Sequence, residues 1–150
     1  MRIPGWAKAA ALVLLLLISG TVLWWRMSQG ESLLRLDGQS YQFTVMRTDA
    51  ELEKGLSGTK SLASNQAMVF AFPHDDKWSM WMKGMNYPID IVWLNVDKEV
   101  IYTVKDAQPS SYPQKFTPDQ AAKYVIELPS GTVAKLGIQN GDPAGLPAGV

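Results

Sequence analysis

The chain has 150 residues, enough for one domain, with 47% apolar residues and no net charge. It contains no cysteine and a single histidine, His74, which excludes disulfides, thiolate catalysis, cysteine-based zinc sites and multi-histidine metal centres. Arg2, Lys8 and Arg26 stand in a first stretch of 26 residues without acids, leaving 11 basic and 14 acidic residues, a net of −3, in the remainder. With no basic stripe or glycine-rich phosphate loop, that remainder is a poor partner for nucleic acid.

Residues Ala9 to Trp25, "AAALVLLLLISGTVLWW", are 17 uncharged residues, at the short end for a membrane span. Trp24 and Trp25 lie where an interfacial aromatic belt would sit. Arg2, Lys8 and the α-amino group precede the run, so the positive-inside rule keeps the N-terminus in the cytoplasm and exports the rest. No A-x-A-like cleavage site comes after it. The segment is therefore read as an uncleaved transmembrane anchor over residues 1–26, with a cleaved signal peptide as the alternative. Both readings place residues 27–150 outside the cytoplasm, anchored at the membrane or free in the periplasm or exterior.

Residues 27–31 read as a linker. "SLLRL" (Ser32–Leu36) and "YQFTVMR" (Tyr41–Arg47) flank the turn "DGQS", a hairpin signal. Thr48 and Glu51 have capping-box spacing and start a short helix "DAELEKG" that Gly55 can stop. "LSGTKSLASNQ" is a loop. "AMVFAF" (Ala67–Phe72) is a buried strand stopped by Pro73, and "HDDK" is a polar turn. "SMWMK" reads as a strand, "GMNYP" as a turn in which Tyr87–Pro88 is a candidate cis bond, and "IDIVWLN" as a strand. This last strand is apolar on both faces, so it is expected to be central. "VIYTVKDA" completes a hairpin with it, and "QPSSYPQKFTPDQ" is a long surface loop. "AKYVIEL" is the last strand. "SGTVAKLG" is a helical turn or two, with Ser130 as candidate N-cap and Gly137 as stop. "GDPAGLPAGV" (residues 141–150) is rich in proline and glycine, and residues 143–150 of it read as a flexible tail. The expected fold class is mainly β (a β-rich α+β domain over 32–142): a small, barrel-like curled sheet with two short helices behind one transmembrane helix.

Four blocks together resemble a known family. "EKGLSG" followed by "SL", "AMVFAFP", "WMKGMNYPIDIVWLN" and "AKYVIELPSGTVAKLGIQNGD" are similar, in order, to segments of the domain-of-unknown-function family 192, a group of small, often exported proteins. The resemblance implies a compact, β-rich, barrel-like domain and carries no settled activity. The chain departs from the family pattern at two places. Ser57 stands where the family often has methionine, and Pro143 follows Gly141-Asp142 where the family usually continues with a hydrophobic strand.

The chemistry concentrates in "WSMWMKGMNYPIDIVWLN" (Trp78–Asn95), which holds three of the six tryptophans and three of the seven methionines. Asp90 falls in a strand expected to be buried, where a carboxylate needs a partner. Lys83, Asn86 and the amides of the "GMNY" turn are candidates. One reading makes Asp90 a structural fastener accepting backbone amides. The functional reading makes Lys83 and Asp90 the floor of a cleft lined by Trp81, Tyr87 and Trp93, suited to a small polar or sugar-like ligand. The candidate ligand-binding residues are then Trp81, Lys83, Asn86, Tyr87 and Asp90. On this reading the chain is a binding or accessory module at the cell envelope, touching the membrane through its N-terminal helix, meeting a small polar or glycan ligand, and needing no cofactor. A hydrolase-like envelope enzyme pairing Asp90 with a second acid such as Glu127 is one alternative. A Cu(I) protein using Met80, Met82 and Met85 with His74 nearby is another. His74, Asp75 and Asp76 together read as a solvated turn rather than a metal site.

Overall fold

The computed structural model describes residues 33–150. The expected membrane helix and the linker lie outside the described residues. Among those residues no helix is long and apolar enough to cross a membrane.

The elements in chain order are β1 (Leu33–Leu36), β2 (Gln39–Met46), α1 (Asp49–Lys54), β3 (Gln66–Asp76), β4 (Met80–Trp81), β5 (Ile89–Leu94), β6 (Val100–Ala107), a 3-10 turn (Pro109–Ser111), β7 (Lys115–Phe116), β8 (Ala122–Pro129) and α2 (Thr132–Leu136). The β1–β2 hairpin closes through Asp37 and Gly38, both at positive φ (43° and 76°), as a two-residue turn between right-twisted strands requires.

Six strands form one mixed sheet in the order β1-β2-β3-β8-β5-β6. Only β2 and β3 run parallel, and the connection between them holds α1. The expectation for "IDIVWLN" holds: β5 lies between β8 and β6, and all six of its residues are buried. β8 is its equal on the other side. The two strands pair from Ile89↔Pro129 to Leu94↔Tyr124.

The register sorts side chains onto two faces. Val69, Ile126 and Val92 align across three strands on one face, with Leu94, Tyr124 and Leu128. This face packs against Val133 and Ile138 of the α2 segment and against Ala144 and Leu146. Phe70, Val125 and Trp93 align on the opposite face, with Ile89 and Ile91, beneath Leu56, Met80 and Met82. The domain is thus a three-layer object with two cores, one on each side of the sheet.

That arrangement corrects the barrel. The sheet is not closed, because β1 and β6 remain its two edges. Residues 143–150, expected as a flexible tail, instead pack along those edges. Gly145 exchanges backbone hydrogen bonds with Arg35 of β1 (3.1 and 2.8 Å), and the Ala144 amide donates to the Lys98 carbonyl just before β6 (2.9 Å). Leu146 and Ala144 are buried. The Tyr124 hydroxyl donates to the Val150 carbonyl at 3.2 Å. Two prolines, at 143 and 147, keep this segment from forming a regular strand. It covers edges that would otherwise present unpaired backbone groups. Gly145 is needed for the approach: a Cβ there would sit 2.9 Å from the Cβ of Arg35.

Three local expectations also change. β3 does not stop at Pro73 but continues to Asp76, with its register to β8 broken between Ala71 and Asp76. Proline is tolerated there because the ladder is already interrupted. "SMWMK" shrinks to the two residues of β4, which pair with β7, a strand inside what the sequence presents as featureless loop. The cis X–Pro bond is Tyr112–Pro113 rather than Tyr87–Pro88.

Candidate ligand-binding site

The site is built from the end of α1 and the loop before β5. Helix α1 starts with the expected capping box. Glu51 Oε2 accepts from the amide of Thr48 at 2.9 Å, and the Thr48 hydroxyl accepts from the amide of Glu51 at 3.4 Å. The Thr48 amide and then the Arg47 amide, which donates to the same oxygen at 3.0 Å, hold the Glu51 carboxyl below its ordinary pKa. The helix ends at Gly55, whose φ of 46° and ψ of −133° suit only glycine well. A Cβ at Gly55 would also stand 3.0 Å from the Phe70 ring. The bare backbone thus lets the chain pass directly over Phe70 of β3 and Glu127 of β8.

Residues 57–59 are then stitched to residues 83–87. Ser57 Oγ donates to the Lys83 carbonyl at 2.7 Å, and the Gly58 amide donates to the Gly84 carbonyl at 2.9 Å. Asn86 Nδ2 donates to the Thr59 carbonyl at 2.8 Å, and the Thr59 and Tyr87 hydroxyls share a hydrogen bond of 2.6 Å. The two segments form one wall. Between that wall and α1 lies a groove of about 410 Å³, lined by Ala50, Glu53, Lys54, Ser57, Lys83 and Gly84. A narrow recess of about 20 Å³ shares Glu53, Lys54 and Ser57 with the groove. Leu52, Gly55, Leu56, Phe70, Met80, Trp81, Met85 and Glu127 complete its walls. That volume is enough for about one water molecule.

Glu127 is the unusual group. It sits in β8 opposite Met68 and Ile91, on the Phe70 face of the sheet. It is 3% exposed, and its Oε2 has no hydrogen-bond partner among the described residues. Burial pushes its carboxyl up to about 8, so at neutral pH it carries its proton. An unsatisfied buried polar group costs about 1–3 kcal/mol, which makes its retention informative. Trp81, half-buried beside the recess, lies under two ammonium groups. Lys83 Nζ is 5.8 Å and Lys115 Nζ 5.2 Å from the ring centroid, within cation–π range.

The four-block pattern and this fold agree with the comparisons. The model of the family DUF192, described as "Uncharacterized ACR, COG1430", matches residues 32–145. The chain belongs to this family. A UPF0127 protein of Thermococcus kodakarensis is 30% identical over 109 residues, covering 70% of this chain and 66% of the relative. The chain spans no more than about two thirds of the length of the curated relatives it matches. Two solved structures share the fold. A Novosphingobium aromaticivorans protein of unknown function is 26% identical with a TM-score of 0.70, covering 75% of this chain and 82% of its own. A Sinorhizobium meliloti protein provisionally named a transcription regulator is 26% identical with a TM-score of 0.68, covering 75% of this chain and 88% of its own.

Within this DUF192 domain, Lys83 lines the groove and Trp81 the recess, while Asn86 and Tyr87 line neither and bond to Thr59 in the adjoining wall. Trp81, Lys83, Asn86 and Tyr87 all belong to or adjoin the stitched wall. Asp90 does not join them. It points to the other face of the sheet, beside Leu128, and is fully buried. Its Oδ1 accepts from the Asp106 amide at 2.8 Å and its Oδ2 from the Val133 amide at 2.7 Å. The fastener reading of Asp90 therefore describes its geometry, with partners in the β6 terminus and α2 rather than in the "GMNY" turn. It also replaces the expected cap. The N-cap position of α2 is Gly131, which offers no side chain, while Ser130 Oγ donates to Asp106 Oδ1 at 2.6 Å. A carboxylate from 43 residues away does the capping.

The other named residues find ordinary places. Trp93 is a core residue, its Nε1 donating to the Trp78 carbonyl at 2.8 Å. Met80 and Met82 are packed in the Phe70-side core, and Met85 is half-buried against it. Asp90 and Glu127 project from opposite faces of the sheet, a geometry unsuited to a shared acid–base pair. Among the described residues no group of three or more His, Asp or Glu side chains is placed to hold a metal ion. The residues that the motif reading passed over are Lys54 and Gly55, and Glu127 in any role but that of second acid. The available signal was a lone acid in the otherwise apolar run "YVIEL".

Asp90→Asn should lower stability by about 2–3 kcal/mol, because one of two buried amides loses its acceptor and faces an NH2 group instead. Urea unfolding measures the loss, and exchange of the Val133 amide should accelerate. An unchanged midpoint would exclude the fastening role. For Glu127 the ordinary carboxyl value of 4.5 applies to the unfolded chain and about 8 to the folded one. Between those values the folded state holds a proton that the unfolded state has lost. Stability is therefore favoured at low pH and falls as pH rises through the window, by on the order of 3 kcal/mol between about pH 5 and 8. Unfolding at several pH values should show this slope relative to Glu127→Gln, and parallel profiles for the two proteins would refute it.

Proposed function

We propose that the chain is a membrane-anchored, extracytoplasmic binding module whose groove takes a small polar or sugar-like ligand. The observation that carries this reading is the buried, unpartnered Oε2 of Glu127, which lines a narrow recess beside an open groove. Concave sites of this kind combine mostly apolar walls with a few convergent polar groups. Trp81 offers an aromatic surface, and Lys54 and Lys83 offer polar contacts beside it. Binding is favoured over catalysis because Asp90 is fully engaged by backbone amides, which leaves one buried acid at the groove rather than two. The regulator name of the Sinorhizobium protein is not carried over. The net charge of −3 beyond residue 26 is a poor match for nucleic acid.

The extracytoplasmic placement rests on the N-terminal charge bias and the apolar run. The full-length protein should remain in the membrane pellet after alkaline carbonate washing, with its domain open to protease from outside the cytoplasm. A mature chain starting near residue 27 would overturn the anchor.

Thermal-shift screening of the full chain in detergent, against monosaccharides, amino acids and small organic acids, tests the groove. A saturable ligand should bind the wild type, weaken about tenfold or more in Trp81→Ala, and be lost in Glu127→Leu, with both variants still folded. Stacking and hydrogen-bond losses of about 1–3 kcal/mol correspond to such changes. Binding that ignores both substitutions would move the site elsewhere, and the absence of any binder in all three classes would overturn the reading.

A further inference from the structure

The charges around the groove are uneven, and they narrow the ligand class. Helix α1 brings Glu53 and Lys54 to it, and the loop before β5 brings Lys83. The remaining walls of the recess, from Phe70 of β3, Met80 and Trp81 of β4, and Met85, carry no ionisable group. Lys115 from β7 adds a third ammonium, 5.2 Å from the centroid of the Trp81 ring. Against Lys54 and Lys83 stand Glu53 and the buried Glu127, the latter protonated at neutral pH. The groove therefore presents net positive charge together with one recessed hydrogen-bond donor.

Resting on the binding-module reading above, we infer that the groove takes a small molecule bearing a carboxylate or phosphate. The oxyanion meets Lys54 and Lys83, and one acceptor oxygen of the ligand enters the recess to reach Glu127. The recess selects a single atom, because about 20 Å³ admits nothing larger than a water-sized group. The contact satisfies the one buried side-chain atom that is left without a partner among the described residues. Two ammonium groups also favour an anion electrostatically in a partly enclosed groove. The Ser57 hydroxyl is not free to contribute, since it is spent on the Lys83 carbonyl at 2.7 Å. Its effect is to hold the Lys83 backbone against the α1 end of the groove.

The same geometry makes binding depend on pH. A protonated Glu127 donates to the ligand oxygen, whereas the carboxylate would repel both that oxygen and the oxyanion. The donor form is nearly complete at pH 7 and falls to about a tenth at pH 9, one unit above its titration point of about 8. The loss over that range is assigned to the Glu127 proton.

Calorimetric titration of the full chain in detergent with four matched rings tests the inference: glucose, glucosamine, glucuronate and glucose 6-phosphate. At pH 7 at least one of the two anions should bind about tenfold or more tighter than glucose or glucosamine. Which anion it is separates carboxylate from phosphate. That affinity should fall about tenfold between pH 7 and pH 9, as the protonated fraction does. Lys54→Met and Lys83→Met should each weaken the anion and leave glucose unchanged. Glu127→Gln, which keeps a donor without a titrating proton, should bind at pH 7 within a few-fold of wild type and lose the pH dependence. Tighter binding of glucose or glucosamine than of either anion overturns the oxyanion inference while leaving the binding-module reading standing. Anion binding that is flat from pH 7 to pH 9 in the wild type removes Glu127 from the contact. Failure of all four rings while the broader screen finds a neutral or cationic ligand also overturns the inference alone. Failure of both screens overturns the module reading with it.

Discussion

One buried carboxylate fastens the α2 layer of this domain to its sheet. Asp90 lies in the central strand β5, and its two oxygens take the amides of Asp106 and Val133. Those two amides belong to a left-handed residue at the end of β6 and to the first turn of α2. Neither has a strong local reason to be where it is. The helix has five residues and no side-chain cap of its own, too short to be stable in isolation. Capped by Asp90, it places Val133 and Ile138 over the sheet, where they join Leu34, Val92, Ile126 and the tail residues Ala144 and Leu146. The core on that face of the sheet depends on where α2 is held.

Glu127 is the counterpart on the opposite face. It occupies β8, the strand paired with β5, and is buried as deeply as Asp90 to within a few per cent. Asp90 has an acceptor role for each of its oxygens. Glu127 has an oxygen with none. Burying an acid without partners is stable only if the acid keeps its proton, and a neutral carboxylic acid is a donor as well as an acceptor. The two acids thus divide the work by environment. One organises the fold through backbone amides, and the other leaves an unspent hydrogen-bonding group beside a groove with two lysines.

Much of the local structure was legible in the residues. The capping box at Thr48 and Glu51, the turn at Asp37-Gly38, the central β5 and the stop at Gly55 all depend on neighbours within a few positions. Alternation and turn chemistry report such features directly. The family signature was legible for the same reason, since it is a pattern of consecutive residues. The features that were not legible depended on distant partners. The continuation of β3 past Pro73 meets β8 again only at Asp76, opposite Ala122. The strand at Lys115–Phe116 exists because Met80–Trp81 lies beside it. The tail reads as soft because its glycines and prolines suggest no element, yet its order comes from Arg35 and Lys98.

The amino-acid sequence by itself determined that this is a β-rich member of its family, that Trp81, Lys83, Asn86 and Tyr87 lie close together in the chain, and that a carboxylate at position 90 would need partners. Tertiary structure alone decided who those partners are and which face of the sheet each acid occupies. A shift of one residue in strand register exchanges the two faces, and no local pattern in "IDIVWL" or "YVIELP" says which face will meet the groove. That is why Asp90, the residue most conspicuous in the sequence, is sealed in the fold. Glu127, a single acid in an apolar strand, is the one that borders the candidate site.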